Sequence, residues 1–285
     1  MIYKGAQSLE LPPMRGNEPF RLAELLAALE TSHTLSTMRQ CLFCDNPANS
    51  REHVWPEWVL NRLNVKDVIR HRMGNDPELL LPNPEHKVRA VCKTCNEGWM
   101  HDLEQKNIPL IGNLMQDIAL SLNGLQQYHI ATWAVKMSMI GDFLARSHRP
   151  LFFNQAEREQ LRVATNLPER TTVWIGRHNF PDHIGFWGSN SWSADKTVHA
   201  FITTVLVGHL VVQAVTLQCT DKWDGTEMTV NTAAGPRPWP EMLTDIWPTK
   251  VSAPWPPQFS FRNDGQFSLL HLVRRYSYGE NMLKA

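Results

Sequence analysis

The sequence predicts an α+β fold. A small segment held together by a metal ion is expected to precede a larger region of helices and then an antiparallel sheet. Two Cys-x-x-Cys pairs bracket one short segment in the first half of the chain. Residues 127–147 repeat apolar side chains at helical spacing. From Thr171 onward, β-branched runs are separated by Gly, Pro and Asn, a pattern typical of strands.

Composition and charge narrow the classes of protein. Apolar residues make up 42% of the 285 residues, which is enough to bury a sizeable core. Lys plus Arg (28) balance Asp plus Glu (28), so any contact with nucleic acid must come from a local patch or a metal ion. No stretch is apolar enough to predict a membrane span, and no secretory signal is visible. A cytoplasmic protein is therefore expected, in which paired cysteines more often bind metal than form disulfides.

The chain divides into three predicted parts. Residues 1–37 form an N-terminal extension, which is either a helix packed on the body or a segment that precedes the true start at Met38. Residues 38–106 carry the motifs. Residues 107–285 are predicted to form an α+β domain without a chemical motif of its own.

The elements of the motif-bearing part follow in order. Pro56 suits the first turn of a short helix. Residues 70–84 are expected to form a loop, and residues 88–91 a short strand that leads into the second cysteine pair. Residues 96–106 are predicted to be helical, with Asn96 as a plausible N-cap.

The second half begins with helices and ends with strands. Helices are expected over residues 127–147 and 155–164. Strands follow from Thr171. The Pro- and Trp-rich residues 233–258 are expected to form an irregular covering loop, and a last pair of strands is expected around residues 259–276.

The four paired cysteines predict a closed metal site. Two intervening residues allow both thiolates of a pair to reach one ion, and two pairs complete the tetrahedral shell that structural Zn²⁺ takes. The alternative is a set of buried or redox-active thiols. The long gap between the pairs indicates that zinc ties together the two ends of an insertion. Residues that supply the ligands are Cys41, Cys44, Cys92 and Cys95. Cys219 stands alone in an apolar run and is expected in the core.

The residues around the two pairs resemble a known family. Residues 51–56 (REHVWP) place an acidic–His pair and a proline after the first cysteine pair, and Asn96 follows the second pair directly. This order is similar to the zinc-bearing subgroup of the HNH (ββα-metal) endonucleases. The resemblance covers less than a quarter of the chain. Such modules occur in homing and restriction enzymes, phage-encoded proteins and bacterial defence systems.

The resemblance implies a ββα-metal module that hydrolyses DNA with one divalent ion, Mg²⁺ or Mn²⁺. His53 would be the general base, since a neutral imidazole accepts a proton near pH 7. Glu52 and Asn96 would hold the ion through oxygen atoms. Neighbours in a strand point to opposite faces, so Glu52 and His53 share a site only where the strand bends or ends.

The sequence also departs from the family pattern. Glu52 stands where the family usually has Asp, and Asn96 stands where it often has His. The residue that orients the base has no clear counterpart, and His86 is the closest candidate, with Asn83 just upstream. Farther along the last helix, His101 is expected to be solvated and Glu104 to form a structural ion pair.

The sequence leaves several functional alternatives open. A non-catalytic zinc module that binds nucleic acid or protein is the main rival, and an enzyme built on the C-terminal domain is another. That domain could bind substrate, a protein partner or a second copy of the chain. DNA is the expected substrate, although the residues do not distinguish it from RNA. The tryptophans of both halves are expected to pack in cores rather than stack on bases.

Overall fold

The fold is described from a computed structural model. The N-terminal extension, Asn83 and His86 lie outside the described residues. The residues that the structure describes are 39–63, 69–73, 79–81, 87–144, 150–192, 196–220, 228–231, 242–262 and 275–278.

The motif-bearing part contains four strands and a short helix. Strand β1 (Ser50–His53) pairs antiparallel with β4 (Lys87–Val91). Helix α1 (Glu57–Leu63) follows β1 directly. Strands β2 (Ile69–Met73) and β3 (Leu79–Leu81) pair with each other farther along. The prediction of a loop here was wrong, because hydrogen bonding within a larger sheet imposes strand structure on a run without clear alternation.

A long helical segment follows the second cysteine pair. It comprises α2 (Lys93–Cys95), a π-helical segment (Asn96–Met100) and α3 (His101–Met115). Gly98 has non-helical dihedral angles (φ −97°, ψ −114°) and kinks the segment.

Cys92 caps the start of this segment. Its sulfur accepts a hydrogen bond from the Cys95 N–H, and its carbonyl accepts one from the Asn96 N–H. The prediction that Asn96 is the N-cap was wrong, because the N-cap is Cys92, four residues earlier.

The next helices lie at the centre of the molecule. After strand β5 (Leu120–Asn123) comes α4 (Gly124–Leu144), in which every residue from 130 to 143 is buried. Helix α5 (Gln155–Ala164) begins with a capping box between Asn154 and Glu157. No helix in the described ranges combines the length and apolarity that crossing a membrane requires.

The described residues contain one eight-stranded sheet, in which most neighbouring strands are antiparallel. Besides β2 and β3, its strands are β6 (Thr171–His178), β7 (Ile184–Trp192), β8 (Val198–Val207), β9 (Leu210–Cys219), β11 (Thr244–Trp247) and β13 (Ser260–Phe261). Their order is β11-β6-β9-β8-β7-β2-β3, and β13 pairs parallel with β6. Because β2 pairs with β7, the insertion between the cysteine pairs supplies one side of this sheet.

Three further strands pair outside this sheet. Strand β10 (Met228–Asn231) pairs with β14 (Arg275–Tyr278), and β12 (Ser252–Trp255) pairs with β5. The predicted final strand pair was wrong, because β13 and β14 join different partners. The Pro- and Trp-rich stretch holds two strands rather than only loop, and Pro254 lies in a two-stranded sheet, where a missing N–H is tolerated.

One hydrophobic cluster joins the motif-bearing part to the rest. It includes Phe43 beside the cysteines, Trp55 after β1, Trp133 in α4 and Phe186 in β7. Trp55 is fully buried and its ring contacts Phe186 edge to face. The site described next therefore rests on a core that both parts build.

Candidate functional site

Four cysteine thiols converge at one point. Their sulfur atoms lie within 4.8 Å of one another. The Sγ atom of Cys44 is 3.6 Å from those of Cys92 and Cys95. A tetrahedral Zn²⁺ with Zn–S bonds of about 2.3 Å would place its sulfurs about 3.8 Å apart. The thiols, which form no disulfide, therefore lie close enough to bind one metal ion such as zinc.

Backbone N–H groups point at these sulfurs. Phe43 donates to Cys41 Sγ at 3.5 Å, and Cys95 donates to Cys92 Sγ at 3.3 Å. Hydrogen bonding from the Cys95 thiol, above all, lowers the pKa of Cys41 to about 5. Burial raises the pKa of Cys44, and hydrogen bonding to Cys41 raises that of Cys95. The contacts therefore favour one thiolate, and binding of an ion would release the remaining protons, because the thiolate is the form that binds metal.

Helix α5 holds the first cysteine loop, residues 41–44. Arg158 Nε donates to the Leu42 carbonyl at 2.6 Å, and Arg162 Nε donates to the Phe43 carbonyl at 3.0 Å. The Phe43 ring contacts Trp99 edge to face, with centroids 4.9 Å apart. The loop is thus fixed from the C-terminal region as well as by its own sulfurs.

Strand β1 places Glu52 and His53 at its end. The pairing with β4 is irregular between Ser50 and Glu52, and His53 is the last residue of the strand. A bulge and a strand end both relax the strict alternation of side chains. Consistent with this, Glu52 and His53 line the same cleft.

This cleft has a volume of about 350 Å³ and lies between β1, α1 and the helical segment after the second cysteine pair. Carboxylates, imidazoles and amides dominate its walls, and the described lining residues include no lysine or arginine. The lining residues are Glu52, His53, Pro56, Glu57, Trp58, Asn61, Asn96, Met100, His101, Glu104, Gln105 and Ile108. An acidic wall of this kind attracts cations and repels a bare phosphate.

The π-helical segment brings Asn96 and His101 to one wall. In an α-helix, a residue five positions on lies about 140° away around the axis. The non-helical dihedral angles at Gly98 interrupt this rotation, and both residues line the cleft. His101 is exposed, as expected for a solvated helix residue, and it also lines the cleft. The glycine in the middle of this segment, Gly98, could have indicated from the sequence that the helix is kinked there.

Lys136 in α4 reaches the back of the cleft wall. Its Nζ atom lies 3.3 Å from Glu52 Oε1 and 3.0 Å from Glu104 Oε1, and the side chain is 1% exposed. The predicted ion pair of Glu104 is confirmed, with Lys136 as its partner. The sequence analysis did not single out Lys136, although a lysine inside an otherwise apolar helix indicates a buried ion pair.

The charges of this triad are unbalanced, with two carboxylates around one ammonium. Burial raises the pKa of Glu52, and Glu104 raises it further, against the attraction of Lys136. Burial lowers the pKa of Lys136, but the attraction of Glu104 and Glu52 outweighs it and the pKa is raised. The ammonium therefore stays charged, whereas burial and Glu104 favour the protonated form of Glu52, so the wall carries a net negative charge only when both carboxylates are ionised.

The predicted site residues therefore fall into two groups. The four cysteines form one cluster, and Glu52, His53 and Asn96 line one cleft. Among the described residues, only the cysteines bring three or more Cys, His, Asp or Glu ligand atoms together. A cation in the cleft would thus need the Asn96 amide and water beside carboxylates. Mg²⁺ and Mn²⁺ accept such oxygen-rich sets and Mg²⁺ retains several waters, so the residues present fit these ions.

Comparisons with protein-family models, characterised proteins and solved structures give no match to this chain. The resemblance to the HNH endonucleases stays a prediction, which depends on the motif residues.

Proposed function

We propose that this protein is a metal-dependent HNH-type endonuclease that hydrolyses DNA phosphodiester bonds. The observation that carries the proposal is the cleft itself, which gathers Glu52, His53 and Asn96 from two separate segments of the chain. The antiparallel pair of β1 and β4, with a helix directly after β4, also supports the ββα arrangement that the resemblance implies, although α1, β2 and β3 lie between the two strands in the chain. The four cysteines would hold Zn²⁺ as a closed structural site.

His53 is the proposed general base. It is half-buried at the rim of the cleft, where a neutral imidazole can take a proton from an attacking water. The end of β1 fixes its backbone through pairing with Lys87. The residue that orients the ring remains a prediction, since the candidate His86 lies outside the described residues.

Glu52 and Asn96 are the proposed residues that hold a divalent ion. A bound Mg²⁺ or Mn²⁺ would supply positive charge for the phosphate and the leaving 3′ oxygen. Asn96 Nδ2 donates to Ser50 Oγ at 2.9 Å, which fixes the amide and leaves its carbonyl oxygen for the ion. Glu52 offers a carboxylate that Lys136 holds from behind.

The acidic lining favours this proposal over a non-catalytic nucleic-acid-binding module. A module that only binds nucleic acid uses lysine and arginine against the phosphates. The described cleft residues include neither, and three of them are glutamates. A phosphate enters such a cleft only together with cations, which is the requirement of a metal-dependent nuclease.

A nicking assay with a histidine substitution tests the proposal. Supercoiled plasmid is incubated with the zinc-loaded chain and Mg²⁺ or Mn²⁺, beside a structured RNA. We expect nicking of the plasmid and a loss of about 10²-fold or more in His53→Ala, the usual contribution of a general base. His129→Ala is the matched control, since His129 is half-buried in α4 and outside the cleft lining.

Three results would contradict the proposal. Tight DNA binding without any cleavage by the wild type would favour the binding module. Cleavage that survives His53→Ala would remove His53 as base. Cleavage of RNA alone would change the substrate class.

A further inference from the structure

Lys136 occupies a position that normally excludes charge. It lies in the middle of α4, between Val135 and Met137, and its side chain is fully buried. Burying an unpaired ammonium in such a place lowers the stability of the protein strongly. A well-packed apolar residue often gives a protein at least as stable as one with a buried ion pair. The stability of α4 alone therefore gives no reason for a lysine here.

The partners of Lys136 point to the cleft instead. Its Nζ atom contacts Oε1 of both Glu52 and Glu104. Both glutamates line the cleft, whereas Lys136 does not. The ammonium therefore lies behind the wall and links three elements, β1, α3 and α4.

We propose that Lys136 is a positioning residue of the candidate active site, which holds the Glu52 carboxylate in place for the divalent cation. This inference rests on the proposed function. The ammonium engages Oε1 of Glu52 and keeps Glu52 and Glu104 side by side despite their mutual repulsion. When both carboxylates are ionised, one ammonium does not neutralise them, and the remaining negative charge attracts a cation. Helix α4, outside the motif-bearing part, thereby completes the site.

A double-mutant cycle on metal affinity tests this role. Mn²⁺ binding to the zinc-loaded full chain is measured by electron paramagnetic resonance for the wild type, Glu52→Gln, Lys136→Met and the double variant. We expect Lys136→Met to weaken Mn²⁺ binding about tenfold, the lower range for residues that support metal ligands. Glu52→Gln, which changes a proposed ligand, should weaken it at least as much. If Lys136 acts through Glu52, adding Lys136→Met to Glu52→Gln weakens binding no further.

The controls separate this role from a structural one. Lys250→Met removes an exposed lysine paired with Asp245 and should leave Mn²⁺ affinity unchanged. Zinc content and thermal midpoint report folding in every variant. The double variant leaves only the partly exposed Glu104 carboxylate charged, so its comparison with Glu52→Gln still reports on Lys136 if Lys136→Met alone is unstable.

The outcomes distinguish the two proposals. Equal Mn²⁺ affinity in the wild type and Lys136→Met, or effects that add in the double variant, would overturn the role of Lys136 and leave the nuclease proposal standing. A wild type that neither binds Mn²⁺ nor nicks plasmid would overturn the proposed function and this inference with it. Non-additive loss confined to Mn²⁺ affinity, with zinc retained, supports both.

Discussion

A single hydrogen bond decides which end of the Asn96 amide is available to a cation. The Nδ2 atom of Asn96 donates to the Ser50 hydroxyl, so the amide is anchored by the end that cannot bind a cation. Ser50 begins β1, the strand that also carries Glu52 and His53. The same four-residue strand thus positions the proposed base His53, the Glu52 carboxylate and the hydroxyl that supports the Asn96 amide.

The substitution Ser50→Ala tests this support. We expect it to raise the Mn²⁺ concentration for half-maximal nicking about tenfold, because loss of a supporting hydrogen bond typically weakens a metal site by that order. The maximal rate at saturating Mn²⁺ and the zinc content should change little. Ser121→Ala, on an exposed strand position, is the control. An unchanged Mn²⁺ requirement in Ser50→Ala would show that the hydroxyl does not support the metal site.

At the scale of elements, the kinked helical segment sets the shape of the cleft. Its N-cap Cys92 and Cys95 in α2 supply two sulfurs to the cysteine cluster, and α3 supplies His101 and Glu104 to the cleft. The π-helical segment between them changes the rotation of α3 relative to α2. One helical segment, kinked at Gly98, therefore connects the cysteine cluster to the cleft.

Local patterns predicted the parts of this site that depend on nearby residues. The spacing of the cysteine pairs and the position of His53 between them are short-range features, and α4 repeats its apolar residues over several turns. Lys136 could not be placed, because its partner Glu52 is 84 residues away in the chain. Strand β2 (IRHRM) was missed because it lacks regular alternation, and its partner β7 comes more than a hundred residues later.

Replacement of Cys92, one of the four proposed zinc ligands, tests the cysteine cluster. We expect Cys92→Ser to abolish stoichiometric zinc and to lower Tm by roughly 10 °C or more, because binding to a structural site contributes directly to folding free energy. Atomic absorption and thermal denaturation provide the two measurements. Cys219→Ser, which removes the cysteine outside the cluster, should retain one zinc per chain. A wild type without zinc, or a Tm insensitive to chelators, would contradict the closed site.

At the scale of the whole molecule, the far end of α3 is fixed to the sheet. The Met115 carbonyl accepts a hydrogen bond from the His209 N–H at the turn between β8 and β9. Gly208 in that turn has a positive φ of 58°, and a Cβ there would lie 2.7 Å from the Met115 carbonyl oxygen. Only glycine suits both the dihedral angle and the close approach. The sheet thereby sets the position of the helix that carries His101.

An ion pair just beyond Met115 strengthens the same attachment. Arg177 Nε in β6 donates to Asp117 Oδ1 at 2.8 Å, and Arg177 NH2 donates to Oδ2 of the same carboxylate. Both side chains are about three-quarters buried. Hydrogen bonding from Arg177 holds the pKa of Asp117 below its ordinary value. A lowered folded-state pKa means that the pair stabilises the protein above the unfolded-state pKa and loses its effect as the pH falls through the folded-state value.

Replacing Asp117 by Asn should therefore lower the free energy of unfolding by an amount that depends on pH. Asn tolerates the left-handed backbone of residue 117 (φ 60°), so the change removes charge without adding strain. We expect Asp117→Asn to lower the free energy of unfolding by about 1–2 kcal/mol at pH 7, and the difference from the wild type to shrink below about pH 4, near the unfolded-state pKa of Asp. Urea denaturation at pH 7, 5 and 3 measures it. Asp245→Asn, which breaks an exposed pair with Lys250, should cost less than about 1 kcal/mol. A cost for Asp117→Asn that stays the same at pH 3 would mean that the carboxylate charge does not hold α3 to the sheet.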